Sequence, residues 1–373
     1  MRLVMFYQSL ISDWNHGNAH FLRGITTELL ARGHAVDVYE PADSWSVENL
    51  FREHGQGPER EFHKAYPMLS STRYDFNTLD LDRVLSEADL VLVHEWNEPE
   101  LIEKIGRHGA IASRRFKLLF HDTHHRLVNQ DQLGFKLDGY DGVLAYGRVI
   151  TGTYLQRGWI QRAWTWHEAA DVRVFHPMPE IERVDDVVWI GNWGDEERTK
   201  ELREFLIEPV AQLNLRGKVY GVRYPQEAVR EISQAGLEYR GWLPNYRVPE
   251  AFARARVTLH IPRGPYVQWL PGIPTIRVFE ALACGIPLIC SPWADSEELF
   301  CPGRDFLFAH NGEEMRKHLR DVLEDHSLGE ELAINGLATI LQRHTCAHRV
   351  DELLTIYDEL TSKKEQGEQV AVA

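Results

Sequence analysis

The chain has 373 residues, 43% of them hydrophobic and 26% charged, which is enough for two domains with separate cores and matches an ordinary globular protein. A formal net charge of -15 argues against a duplex-binding face or strong docking on anionic lipid, and no apolar run reaches the roughly 18 residues of a spanning helix. Met1 to Tyr7 lacks the layout of a signal peptide and reads as a buried strand, so the expected location is cytoplasmic, with peripheral contact to the inner membrane left open.

In chain order, Leu3 to Tyr7 is the first predicted strand, followed by a loop from Gln8 to Asn18 that contains Gly17. A helix from Ala19 to Arg32 stops at Gly33, and Ala35 to Tyr39 is the next strand. Residues 42–78, polar and carrying Pro58 and Pro67, read as an irregular insertion or acceptor loop. Leu90 to His94, Phe116 to Phe120 and Val143 to Tyr146 are further strands. Strands separated by helices imply a parallel, doubly wound sheet. After a boundary near Trp164 to Pro179 the alternation restarts. Val187 to Ile190, Gly217 to Val222, Leu237 to Arg240 and Val257 to Ile261 are strands, and Gln226 to Ala235 and Ala251 to Ala255 are helices. Two helices, Glu313 to Glu324 and Leu328 to Arg343, close this half. A last helix, Ala347 to Leu360, precedes a polar tail at 361–373 that is expected to be disordered.

The most informative stretch is Pro274 to Ile289. Pro274 pre-sets a turn, Thr275 is a candidate N-cap, and Ile276, Phe279 and Leu282 or Ala283 recur at helical spacing. Gly285 ends the helix and Leu288 to Cys290 is a short apolar strand. Free N–H groups and the positive dipole end at such a helix start suit a phosphate. Arg277 can neutralise a diphosphate, and Glu280 can accept two hydrogen bonds from a ribose diol. The plain alternative is an amphipathic helix with two solvated charges.

This stretch resembles the donor-binding signature of GT-B glycosyltransferases, of the type F-E-A-M-A-C-G-x-P-L-I. With Arg three residues before the Glu it is most similar to the CgeB-like branch, within the glycosyl transferases group 1 family. Leu29 to Tyr39 is similar to the helix, R-G-H, strand entry of such proteins, and Ala169 to Pro177 to their interdomain phrase D-x-x-x-F-x-P. The resemblance covers most of the chain and is strongest from Trp164 to Tyr357. It implies an α/β GT-B fold: two Rossmann-like doubly wound domains facing across a cleft, with a C-terminal helix crossing back to the first. The expected division is 1–165 acceptor-binding, 166–183 linker, 184–345 nucleotide-sugar-binding, and 346–373 crossover helix and tail. One departure stands out: many retaining members carry a second acid eight positions before the Glu, and here that position is Gly272.

The resemblance also places roles on other motifs. Gly191 and Asn192 follow a strand, where glycine permits close backbone approach to a phosphate. Asn192 stands where many relatives have Arg, so Arg198 becomes the first candidate for the diphosphate and Lys200 the second. Gly241, Trp242 and Leu243 resemble the loop whose backbone reads the base, and Trp242 or Tyr246 can stack on it; a buried aromatic anchor is the equal alternative. Pro274, Thr275 and Ile276 complete the donor set. Arg263, at the end of a strand, joins Arg277 and His121 as the catalytic candidates. His16, Gly17, Asn18 and Glu95 are the candidate acceptor contacts, Glu95 also as a base for inversion.

Three histidines lie close together at His121-Asp122-Thr123-His124-His125, but adjacent His124 and His125 are awkward joint ligands, so no metal site is expected. Asp80-Leu81-Asp82 reads as first-turn acids of a helix. Cys284, Cys290, Cys301 and Cys346 form no C-x-x-C pair and are expected to be free thiols. The resulting expectation is a metal-independent glycosyltransferase with a slight lean to retention. It would move a sugar from a nucleotide-diphosphate sugar to an unidentified acceptor, need no cofactor beyond that co-substrate, and have no nucleic-acid partner. A sugar-nucleotide epimerase on the same fold, and a non-catalytic sugar-nucleotide-binding protein, are the alternatives. Glu280→Gln is expected to weaken donor binding with the fold intact.

Overall fold

The computed structural model describes residues 1–111, 114–124 and 132–370, with side chains as far as residue 362. Its strands form two sheets. The first joins β1 (Arg2–Phe6), β2 (Ala35–Pro41), β3 (Ser71–Tyr74), β4 (Leu90–His94), β5 (Lys117–Asp122), β6 (Gly142–Ala145) and β7 (Ala163–Thr165) in the order β3-β2-β1-β4-β5-β6-β7. The second joins β8 (Asp185–Ile190), β9 (Gly217–Tyr220), β10 (Leu237–Tyr239), β11 (Ala255–His260), β12 (Leu288–Cys290) and β13 (Leu307–Phe308) in the order β10-β9-β8-β11-β12-β13. All the strand pairings among the described residues are parallel. Helices cover a parallel sheet on both faces, so its central strands read as unbroken apolar runs. Leu3 to Phe6 and Leu90 to Val93 are accordingly fully buried.

The chain divides into two compact units: Met1–Asp13 with Leu22–His167 and Cys346–Ala373, and Trp14–Phe21 with Glu168–Thr345. The last helix, Cys346–Val370, therefore belongs to the unit of the first sheet. The Trp166 indole donates to the Arg349 carbonyl at 2.8 Å, and Val350 and Leu353 are buried. Among the described residues no helix is long and apolar enough to cross a membrane.

Residues 42–78 differ from the expected irregular loop. They form helices Trp45–His54 and Gly57–Ala65, and β3. Pro58 lies in the first turn of its helix, where a missing N–H costs nothing. Phe62 is the only buried residue of that helix, too few to show a period in the sequence. Phe62 and Tyr66 lie under the guanidinium of Arg23. Arg23, almost fully buried, donates to the carbonyls of Leu10 and Ile11 and pairs with Asp13 at 2.8 Å, which holds the loop after β1. Gly264–Trp269 is a short helix, and the final helix extends beyond the expected Leu360 to Val370.

Candidate functional site

Both sheets reverse direction of growth at one place, β1/β4 in the first and β8/β11 in the second. In open α/β sheets, the carboxyl ends of the strands at that reversal are where ligands bind. In the second unit those ends are Gly191-Asn192 after β8 and Ile261-Pro262-Arg263 after β11.

Arg198 lies beside them and is buried. Its guanidinium donates to the Ile261 carbonyl at 3.0 Å and to the Asn192 carbonyl, lies over the Trp189 ring, and forms no ion pair with a carboxylate among the described residues. Its Nε is buried with no hydrogen-bond partner. Burial first, then the nearby Arg263 and Arg277 charges, push its pKa down to about 10. Asn192 has a framework task as well: its Oδ1 accepts from the Val222 N–H at 2.9 Å, and its amide reaches Asn15. Gly191 is needed sterically, because a Cβ there would meet the Trp189 ring. Arg263 is only partly buried and pairs with Glu197 at 3.3 Å, while Lys200 is exposed.

The helix Ile276–Ala283 starts beside these groups; the Val278 N–H bonds the Thr275 carbonyl at 3.1 Å, and the two amides before it, Ile276 and Arg277, precede the first intrahelical bond. Thr275 occupies the N-cap position, yet its side chain does not cap. Its hydroxyl meets His260 Nε2 at 3.1 Å instead. Glu280 is fully buried. Its Oε1 accepts from His20 Nδ1 at 2.9 Å and from Asn245 Nδ2 at 2.7 Å, and its Oε2 pairs with Arg277. Burial alone would raise its pKa, but Arg277, His20 and Asn245 outweigh that and hold the carboxyl below the usual range. His20 is itself fixed: its Nε2 accepts from the Asp171 N–H at 2.8 Å, which leaves the proton on Nδ1, and its ring stacks on Phe175.

Three of the roughly four acceptor positions of Glu280 are thus filled by protein. Two hydrogen bonds from a ribose diol were expected on this carboxylate; here one position on Oε2 remains. Asn245 also ties the preceding Gly241-Trp242-Leu243 loop to Glu280, with Gly241 in the left-handed region at φ 72° and Trp242 and Leu243 half-buried. Pro274 and Ile276 are buried.

His16, Gly17 and Asn18 were expected to serve the first domain. They pack in the second unit, because the loop is drawn in by Asn18, which donates to Glu168 Oε1 at 3.3 Å, and by Gly17, whose Cα lies against Ile276. His16 is buried there. Glu168 is buried beside Glu280; desolvation, reinforced by the Glu280 charge, raises its pKa to about 8. Its carboxyl is therefore mostly protonated near neutrality.

Gly272 has φ 92°, and a Cβ on it would collide with the Glu297 side chain. The buried Glu297 thus fills the space that an acidic side chain at 272 would need.

At the carboxyl edge of the first sheet the chemistry is different. His121 is fully buried inside β5, in register with His94. The Tyr7 hydroxyl, kept protonated by burial, bonds to His121 Nδ1 at 2.7 Å, and burial lowers the His121 pKa to about 3. The His94 ring stacks on Tyr7 and its Nε2 meets the Thr123 hydroxyl at 3.0 Å. Asp122 accepts from the Tyr154 hydroxyl and the His124 N–H. Glu95 follows β4, its N–H bonded to the His121 carbonyl. Among the described residues no cluster of three acids, histidines or cysteines is placed to hold a metal ion; His125 lies outside them. Asp80 caps the helix Leu81–Leu85, and Asp82 is exposed.

Residues 198–355 match the family described as glycosyl transferase-like. The whole chain is similar to solved structures of low identity. Sucrose-phosphate synthase from Thermosynechococcus elongatus aligns over 97% of this chain and 100% of its own at 14% identity, with a TM-score of 0.67. HepE from Anabaena, in complex with UDP, aligns over 96% and 100% at 15% identity and 0.64. The β-glucosyltransferase of T4 phage aligns over 96% and 99% at 13% identity and 0.61. The chain has the GT-B fold, and its residues 198–355 carry the glycosyl transferase-like match. No curated protein matches it by sequence.

Sequence reasoning on this GT-B protein singled out Arg198, Arg277, Glu280 and Thr275, which the structure brings together in one unit. It took His20 as a possible acceptor or phosphate contact and not as the partner of Glu280, and it missed Asn245, Glu168 and His260. His20 and Glu168 lie far in sequence from Glu280, and no local pattern marks them. His260 carried a usable signal, a polar residue ending a buried strand just before Arg263.

Proposed function

We propose that the protein is a metal-independent glycosyltransferase that takes a UDP-sugar as donor in its second unit. The single observation that carries this is Arg198: a buried guanidinium that forms no ion pair with a carboxylate among the described residues, with an unsatisfied Nε, beside Arg263, Arg277 and a helix N-terminus. Leaving such a charge uncompensated is costly, and a diphosphate supplies the missing partner. The same groups stabilise the diphosphate as it leaves, which is the task a bound divalent ion has elsewhere. Uridine is the favoured base because HepE, of the same fold, is bound to UDP.

Retention is the proposed course. Inversion needs a general base with a pKa near the working pH. His121, held near 3, is a poor base and a good neutral hydrogen-bond donor. The departing phosphate then assists the acceptor hydroxyl. His16, Gly17 and Asn18 belong with the donor by their position in the second unit, which leaves Glu95 and the edge of the first sheet for the acceptor.

Calorimetry with UDP-, GDP-, TDP- and ADP-sugars, with and without EDTA, tests the reading. UDP-sugar binding that survives EDTA, followed by transfer with the anomeric configuration kept, is the expected result. Loss of activity in EDTA with recovery in manganese would overturn metal independence. Conversion of the donor sugar with no acceptor present would favour an epimerase.

A further inference from the structure

We propose that His260 is a donor-binding residue, which as a neutral ring gives an Nδ1–H hydrogen bond to a diphosphate oxygen while Thr275 engages its Nε2. The inference deepens the reading of Arg198 and rests on it. His260 ends β11 at the sheet reversal, and only 2% of it is exposed. Its Nδ1 has no hydrogen-bond partner. Buried polar atoms without partners are rare in folded proteins, and one at a ligand-binding edge marks a partner that arrives from outside.

Three further observations specify that partner. First, the Arg198 guanidinium, whose own Nε is unsatisfied, donates to the carbonyl of Ile261, the residue after His260. Two neighbouring side chains at this edge, Arg198 and His260, therefore each carry an unsatisfied buried nitrogen, and an anion between them would serve as partner to both. Second, the Thr275 hydroxyl is diverted from capping its helix to His260 Nε2. A hydroxyl that donates to Nε2 places the ring proton on Nδ1 and leaves the helix amides for a ligand. Third, burial and then the charges of Arg198 and Arg277 hold the His260 pKa near 3. The ring contributes a donor without adding a fourth positive charge to Arg198, Arg263 and Arg277. The Trp293 ring stands edge-on to the imidazole at 6.1 Å, and the His260 carbonyl is bonded to the Ser291 N–H.

His260→Gln and His260→Asn separate the two ring nitrogens. A Gln amide reaches the Nε2 position and keeps the Thr275 contact; an Asn amide reaches the Nδ1 position and keeps the donor. Calorimetry with UDP and with uridine reads the phosphate contribution apart from the nucleoside. His260→Gln is expected to weaken UDP about 5- to 10-fold, the loss of one hydrogen bond to a charged group, with uridine unchanged. His260→Asn recovers most of the UDP affinity. UDP binding equal to wild type in His260→Gln, equal losses for UDP and uridine, or no recovery in His260→Asn would each overturn the proposal. Thermal melts confirm folding of each variant. If His260→Gln does not fold, Thr275→Val keeps the ring, removes the hydroxyl that selects its tautomer, and should lower UDP affinity alone. A wild-type protein that binds no UDP defeats the donor-site reading itself; wild-type binding with indifferent variants defeats only the role of His260.

Discussion

The two units share one topology, yet the carboxyl edges of their sheets carry opposite electrostatics. At the first edge Tyr7, His94 and His121 are buried and bonded to each other or to Thr123, with Tyr7 and His121 kept neutral by burial. At the second edge Arg198, Arg263 and Arg277 gather around a helix start, and His260 at the end of β11 is kept neutral first by burial and then by the Arg198 and Arg277 charges. A shared strand order therefore fixes where a ligand can lie and says nothing about its charge. The side chains at the strand ends decide that: one edge gathers three arginines, the other a buried tyrosine, two histidines and the acids Asp122 and Glu95.

The most severe way to break the charged edge is Glu280→Gln. Removing one partner of a buried pair leaves the other uncompensated, here Arg277 facing an amide. A loss of about 3–5 kcal/mol in stability is expected, read from chemical denaturation. The sequence alone gives an intact fold as the expectation; the larger loss expected here follows because Glu280 is held by His20, Asn245 and Arg277 at once. Unchanged stability would show that this network is not a keystone of the unit.

A smaller effect is expected from Arg198→Leu. It should weaken UDP by about 1.5–3 kcal/mol, the value of a hydrogen bond to a charged group, measured by calorimetry. Lys317→Ala and Arg320→Ala, on an exposed helix face, should leave UDP affinity unaltered. Equal effects across all three would erase the distinction between the two edges.

The mildest perturbation sharpens the comparison through pH. Glu168, with its pKa raised to about 8, keeps its proton in the folded state over a range where the unfolded carboxyl has lost it. Its contribution to stability is therefore whole below the ordinary carboxylate range and fades as pH rises to about 8. For one proton the slope is at most about 1.4 kcal/mol per pH unit. Melting temperatures from pH 5 to 9 should fall in wild type and fall less in Glu168→Gln; parallel curves would remove Glu168 from this account. His121 and His260, both held near 3, act in the other direction and lose their contribution only as pH falls from the ordinary histidine range toward 3.

What the sequence determined by itself is whatever short-range pattern encodes. Apolar runs such as Leu90 to Val93 marked the buried parallel strands, and Pro274, Gly285 and the spacing of Ile276 and Phe279 marked the donor helix. Arg198, Arg277 and Glu280 were legible because they stand at fixed offsets from those elements. The helices in 42–78 were not legible, because a helix with one buried side chain, Phe62, has no period to detect. The tertiary structure alone decided how the charges are used. It delivered His20 and Glu168 to Glu280, turned Thr275 toward His260, set Glu297 against Gly272, and moved His16, Gly17 and Asn18 into the second unit. The reason is physical: strand and helix periods depend on neighbours within a few residues, whereas burial, pKa and hydrogen-bond saturation depend on what packs alongside, and those partners arrive from anywhere in the chain.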